Sequence, residues 1–346
     1  FNQNIATTFA PGVPFLMGWQ DYDFARRAAV NGWITTDSTL NMPYAVSKNE
    51  RFSARAVFEP LPDLRIDISA DRSFSTNTTE FYNYNPETGR FAAHSFSERG
   101  NFSMSTLTWG TAFFAIGEGE VQQSEAFEKF KQYRITIAKR LAARRDPNNG
   151  FGYDPSAPHP DHPQFPDGYG PNSVEVMVPA FLAAYQDKDP HTVSLGLFPS
   201  IKFIRPNWRV KYEGMASQIP GLNKFIRSLN FTHAYRSNYS VGSFITDLNY
   251  EEAGDGFTYI RDLANNFIAP YDFNSVSIVE TFSPLINMDI MWVGDLTTRG
   301  EIRRSRNLTL SFANNQLTEV MSNEYTIGMG YRFKQMDLII KTKNSL

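Results

Sequence analysis

The sequence contains no cysteine, which removes disulfide scaffolds, thiolate metal sites and cysteine nucleophiles by inventory. It also lacks any uninterrupted apolar run of the roughly 18–20 residues that a transmembrane helix needs, and its mean hydropathy is polar at −0.38. A helical membrane protein is excluded on that ground. A membrane β-barrel is not, because a barrel strand shows lipid only every second residue and averages to a soluble-looking hydropathy. Excess positive charge is missing too. The 33 Lys and Arg face 36 Asp and Glu, for a net charge of −3, so nothing marks nucleic acid as a partner. No GxGxxG, GxxxxGK[ST], HExxH or GxSxG string occurs, which leaves nucleotide binding and the commoner hydrolase chemistries without support. No cofactor and no catalytic role is expected.

Histidine is scarce at five residues, and only His159-Pro160-Asp161-His162-Pro163 clusters it. Both imidazoles with Asp161 would begin a metal site, but flanking prolines and the lack of a fourth ligand favour an ordinary loop. The acid pairs Asp21 with Asp23 and Glu251 with Glu252 read as solvated loop charge. Asn230-Phe231-Thr232 and Asn307-Leu308-Thr309 read as chance glycosylation triplets in an Asn-rich chain. The start, Phe1-Asn2-Gln3, carries neither Met nor a signal peptide and is read as that of a mature or truncated chain.

What is present is apolar mass arranged with period two. Of 346 residues, 41% are hydrophobic and 14% aromatic, enough for a core and against disorder. Phe52, Ala54, Ala56 and Phe58 alternate with Ser53, Arg55 and Glu59. After the turn formers Pro60-Leu61-Pro62-Asp63, the residues Leu64, Ile66, Ile68 and Ala70 alternate with Arg65, Asp67, Ser69 and Asp71, so the two segments predict one hairpin. The same alternation returns in Trp208, Val210 and Tyr212, and in Ile286, Met288, Ile290 and Trp292. It is longest from Leu317, where Met321, Tyr325, Ile327, Met329, Tyr331 and Phe333 share one face. The aromatics there fit a girdle at a bilayer interface, or equally the packed core of a sandwich.

Stretches 229–250 and 296–312 predict strands far longer than the globular mean of about 5–6 residues. In the second, Arg304 and Arg306 share the parity of Ile302, Leu308 and Leu310, which is costly at mid-bilayer. Either this part lies beyond the hydrocarbon or the strand breaks there. At about 10 residues per membrane strand, the chain has room for roughly a dozen strands.

An insertion interrupts the strands. Over 124–145 the pattern turns helical, with Ala126, Phe130, Tyr133, Ile137 and Leu141 on one stripe, Glu125 and Glu128 at the start, and Arg144 and Arg145 at the end. Packing of that stripe on the strands or a neighbouring loop is favoured over a membrane-surface helix. The Pro-rich segment 146–171 predicts a long loop outside any bilayer core, and Leu222, Phe225, Ile226 and Leu229 predict a short helix near 220–229. The organisation expected is therefore strands and loops over 1–117, a helix and Pro-rich loop insertion over 118–172, and strands again over 173–346.

Several blocks resemble the SprA/Sov family, the outer-membrane translocon of the type IX secretion system. They are QDYDFARRAAVNGWITTDS from Gln20, NERFSARAVFEPLPDLRIDISADRSFS from Asn49, PNWRVKYEGM from Pro206, LNFTHAYRSNYSVGSF from Leu229 and SRNLTLSFANNQLTEVMSNEYTIGMGYRFK from Ser305. The resemblance implies an all-β fold, an antiparallel transmembrane segment from the C-terminal part of a very large barrel. It implies a bacterial outer-membrane conduit with a lateral gate, moving cargo with C-terminal signals from periplasm to cell surface. Its implied partners are the rest of the same barrel chain, a PorV-like outer-membrane barrel, a periplasmic plug protein, secreted cargo, and lipid or lipopolysaccharide. In that setting Arg65, Asp67, Ser69 and Asp71 are expected to face a wet lumen. Leu64, Ile66, Ile68, Trp292, Tyr325, Ile327, Met329, Tyr331 and Phe333 are expected to face lipid or form a girdle. The alternatives are a passive porin or nutrient transporter, and a surface adhesin built as a β-sandwich.

Overall fold

The computed structural model describes residues 24–37, 39, 42–114, 124–145 and 150–333. After a short helix α1 (Phe24–Val30), the long alternating segments form strands that pair into one antiparallel sheet. These are β1 (Tyr44–Leu61), β2 (Leu64–Asn85), β3 (Arg90–Ser105), β4 (Asn207–Tyr212), β5 (Ile226–Thr246), β6 (Tyr271–Phe273), β7 (Ser275–Trp292), β8 (Leu296–Ser311) and β9 (Gln316–Tyr331). The main order is β1-β2-β3-β5-β7-β8-β9, with β4 paired to β2 and β5, and β6 to β5. The expected dozen strands are nine among the described residues, because the main strands run 16–22 residues and use up chain that a 10-residue estimate divides more finely. Strand β8 runs unbroken through Arg304 and Arg306, so the predicted alternative of a break there is overturned.

The hairpin ends use residues that tolerate left-handed backbone. Asp63 (φ 64°) closes β1 onto β2, Gly294 and Asp295 (φ 111° and 66°) close β7 onto β8, and Asn315 (φ 51°) closes β8 onto β9. At the β2–β3 end the Asn85 side chain accepts from the amides of Glu87 (2.8 Å) and Thr88 (3.3 Å). Since β1 continues to Leu61, the first turn is tighter than the four residues expected.

Strands β3 and β4 occupy one lane. Both run antiparallel to β2 and to β5, β3 against residues 72–85 of β2 and β4 against residues 64–69. They are two halves of a strand position with residues 106–206 inserted at the break. The break is stitched by polar bonds: Asn207 Nδ2 donates to Ser105 Oγ (3.1 Å), Ser237 N donates to Asn207 Oδ1 (2.9 Å), and Arg205 N donates to the Ser105 carbonyl (3.1 Å).

The insertion carries α2 (Glu125–Ala142) and α3 (Val174–Tyr185). Ser124 caps α2 by accepting from Phe127 N, and the predicted stripe is core, with Ala126, Phe130, Ile137 and Leu141 buried. Residues 150–171 form turns without helix or strand, as the prolines required; residues 146–149 of that stretch, with Asp21 and Asp23, lie outside the described residues. The segment expected to return to strands at 173 opens instead with α3. Its sequence VEVMVPAFLAAY shows no polar face because it is buried all round, Pro179 included. The helix expected near 220–229 is also corrected. A single 3-10 turn covers Leu222–Lys224 and α4 (Met215–Gln218) precedes it, while Ile226 and Leu229 already belong to β5. Their spacing matched a helical stripe, yet pairing with Trp292 and Ile290 of β7 decided the local structure.

The core lies between α2, α3 and one half of one sheet face. Phe102, Met104, Tyr239, Val241, Val276, Ile278, Leu308 and Leu310 meet Phe130, Ile137, Leu141, Val176, Phe181 and Tyr185. No helix among the described residues is long and apolar enough to cross a membrane, which says nothing about crossing by strands.

Candidate functional site: the two faces of the sheet

Residues opposite each other in antiparallel strands share a face, so the register sorts every strand residue. Ile66 stands opposite Phe58 and Val210, and Ile68 opposite Ala56 and Trp208. Phe231 stands between Tyr212 and Met288, Leu229 beside Ile290, and Ile302 between Ile286 and Tyr325. These residues, with Leu64, Trp292, Ile327, Met329 and Tyr331, form an apolar band across the end of the sheet that carries the β1–β2 and β7–β8 turns. The core residues lie further along the same face, under the inserted helices. Thus, among the described residues, one face is capped at one end by α2 and α3, while at the other end only α4 and the turn after it cover Ile226, Leu229 and their neighbours Ile290 and Trp292, and the rest of the band is bare.

Within the band, exposure is high at the sheet margin: Ile327 is 92% and Met329 80% exposed, with Tyr325, Tyr331 and Phe333 also exposed. Tyr331 and Phe333 contact edge to face at 4.8 Å. Trp292 is half-buried, packs beside Ile226 and Leu229, and donates from Nε1 to Thr298 Oγ1 at 3.0 Å. Leu64, Ile66 and Ile68 are half-buried among their cross-strand neighbours.

The opposite face is hydrophilic. Arg65, Asp67, Ser69 and Asp71 lie there together, with Arg209 and Lys211 of β4, Arg236 of β5, Asp289 of β7, and Arg299, Glu301 and Arg303 of β8. Asp67 accepts from Arg55 (3.0 Å) and Arg65 (3.1 Å), and Ser53 donates to Asp71 at 2.8 Å. Glu301 is clasped by Arg299 (2.7 Å) and Arg303 (2.5 Å).

Between the bare and capped ends sits a polar junction that sequence reasoning missed. Arg306, 3% exposed, meets Glu280, 1% exposed, at 3.1 Å. The second Glu280 oxygen accepts from Thr108 Oγ1 (2.6 Å) and Tyr235 OH (2.8 Å). Arg306 also donates to the Thr111 carbonyl and Oγ1, both at 2.8 Å, so the pair ties the inserted segment to the sheet. Arg304 lies over the Phe113 ring at 5.0 Å. The anomalous parity of the two arginines was the available signal; the missing information was the cap above them. An aromatic cluster borders the junction on its bare side, with Trp208 stacked on Tyr235 at 4.5 Å and Trp109 against Phe282 at 5.2 Å.

The His159–His162 loop brings its rings to 5.4 Å, with His159 buried and its Nδ1 accepting from Asp161 N at 3.2 Å. No group of three or more His, Cys, Asp or Glu positioned for a metal occurs among the described residues. Compared with known proteins, the chain matches no family model and no curated protein.

Proposed function

We propose that this chain is part of the wall of a very large outer-membrane β-barrel of the SprA/Sov kind, the protein-conducting channel of type IX secretion. In this reading it exports cargo with C-terminal signals from periplasm to cell surface. The observation that carries the reading is the bare half of the sheet: one face apolar, the other charged and hydroxylated, with no second sheet over either among the described residues. A β-sandwich adhesin would bury that band between two sheets; a membrane wall leaves it for acyl chains.

Dimensions and chemistry support the same view. From Tyr325 to Phe333 the extended chain covers roughly 27 Å at ~3.4 Å per residue, close to the ~25 Å apolar band of outer-membrane barrels. Aromatic residues stand at both ends of the band, Tyr325 and the Trp208–Tyr235 cluster at one, Trp292 and Tyr331 at the other, with Ile327, Met329 and Ile290 between. The β1–β2 and β7–β8 turns at the bare end are tight, whereas the insertion and the 247–270 connection lie toward the capped end. The bare end also carries the 213–225 connection, and the capped end the tight β2–β3 and β8–β9 turns, so it is the two longest excursions, the insertion and 247–270, that suit elaborated outer loops. Arg65, Asp67, Ser69 and Asp71 then face the lumen, where solvated mixed charge keeps passing polypeptide from sticking. The SprA/Sov-like sequence blocks distinguish this reading from a passive porin or nutrient transporter, and imply a PorV-like barrel, a plug protein and lipopolysaccharide as neighbours.

The test uses the absence of native cysteine. Single cysteines at Ile66 and Ile327 should react with a lipid-soluble maleimide in reconstituted bilayers and resist a water-soluble one, while cysteines at Ser69 and Asp71 should show the reverse. Equal reaction with the water-soluble reagent at all four positions overturns the wall. Loss of cargo secretion on deletion, with small-solute uptake unchanged, separates the translocon from a porin.

A further inference from the structure

The hydrophilic face is not uniform. Where β1, β2, β4, β5 and β7 lie side by side, it sinks into an open hollow of about 530 Å³ whose charged lining is Arg55, Arg209 and Arg236 against one acid, Asp67. Asp67 is already claimed, by Arg55 at 3.0 Å and by Arg65 from outside the hollow at 3.1 Å. Arg209 and Arg236 are exposed, and among the described residues neither guanidinium makes a hydrogen bond, ion pair or ring contact. Other cations of this face are matched: Arg299 and Arg303 share Glu301, and Lys211 pairs with Glu213. Two unmatched guanidinium groups therefore lie together in this hollow, in a chain whose net charge is −3.

The register gives the surplus a shape. Arg55 stands opposite Ser69, Ser69 opposite Asn207, and Arg236 opposite Thr281, with Trp208 paired to Tyr235 one step away. These positions form a row across the strands. At ~4.8 Å per strand, Arg55 on β1 and Arg236 on β5 are separated by about 14 Å, with Arg209 one row below. A single small anion cannot bridge that row. An extended chain can, since its alternate side chains recur about every 6.7 Å, and Ser69 offers a hydroxyl to its backbone between the guanidinium forks while Thr281 offers another just beyond Arg236.

We propose that this hollow is a docking site for extended acidic polypeptide, with Arg209 and Arg236 as the free carboxylate-binding groups and Arg55 exchanging Asp67 for the incoming acid. It rests on the channel reading for its biological sense, in which cargo passes over this face, and it names the kind of segment that would pause there. Binding itself needs no pore.

The experiment is a fluorescence titration of the detergent-solubilised protein with a labelled (Glu-Ser)4 peptide. Binding that falls at least tenfold in Arg209→Gln/Arg236→Gln, that weakens with salt, and that survives Arg303→Gln elsewhere on the face supports the site. A cysteine at Ser283, on the rim of the hollow, should then be protected from a water-soluble maleimide by (Glu-Ser)4 and not by (Lys-Ser)4. Equal binding of (Gln-Ser)4, unchanged affinity in the double variant, or displacement by inorganic phosphate at matched charge overturns it, the last by reducing the hollow to a small-anion site. The two readings fail separately. Maleimide partition at Ile66 and Ile327 decides the membrane wall, whereas the titration decides the hollow.

Discussion

One face of one sheet is treated in two opposite ways along its strands. At the capped end Ile278 is wholly buried under α2 and α3; at the bare end Ile327, on the same face, is 92% exposed. Both are isoleucines in long strands with the same alternation, so strand sequence does not distinguish them. What differs is reach: the inserted segment leaves the sheet where β3 gives way to β4 and folds back over the half that lies beyond the break. The lesson is that period-two apolar patterning states only that a face avoids water, and whether protein or lipid satisfies it depends on elements distant in sequence.

The sharpest way to break this comparison is at the junction. Arg306→Met leaves Glu280 buried without its partner and should cost about 3–5 kcal/mol, the usual result of unpairing a buried charge. The double variant Arg306→Met/Glu280→Met should recover much of it. Denaturant midpoints in detergent check both, and a loss near zero for the single variant would mean that water reaches the pair. Next, Ile278→Ala should cost about 2–5 kcal/mol as a core cavity, while Ile327→Ala, with nothing from the described residues above it, should shift the same midpoint by no more than about 0.5 kcal/mol.

Lipid then reverses the order of sensitivity. In bilayers Ile327→Arg should lower stability by roughly 2–4 kcal/mol if the site is near the midplane, and Ser69→Arg should be mild. Membrane insertion and protease protection read the difference, and equal tolerance at the two positions refutes the facing assignment.

The smallest expected effect is electrostatic and belongs to the cap. Lys188, just beyond α3, has its ammonium brought down to about 8, first by burial and then by the nearby Arg205. Its folded value lies below its unfolded one, so between pH 8 and the ordinary lysine range the unfolded chain holds the extra proton. Stability should therefore rise with pH across that window. Lys188→Met should abolish this rise, which thermal melts of the two proteins at pH 7.5 and 9.5 would measure.

Strand content was legible because alternation is local: Leu64 to Asp71 and Leu317 to Phe333 show their two faces without reference to any partner. Helix α2 was legible from its 3.6-residue stripe and from the acids Glu125 and Glu128 at its start. Helix α3 was not, because a segment apolar on every side has no period to read, and the Ile226–Leu229 spacing misled because cross-strand pairing overrode it. The candidate surfaces were half legible. Sequence separates Arg65, Asp67, Ser69 and Asp71 from Leu64, Ile66 and Ile68, but it cannot bring Arg55, Arg209 and Arg236 into one hollow across four strands.

By itself, then, the sequence determined that this protein makes long two-faced strands with an inserted amphipathic helix, since each follows from side-chain direction within a few residues. Tertiary structure alone decided which half of the apolar face is covered, that Glu280 finds Arg306, and where unmatched guanidinium groups gather. Those outcomes depend on register between strands far apart in the chain, and register is set by the summed packing of whole strands rather than by any one segment.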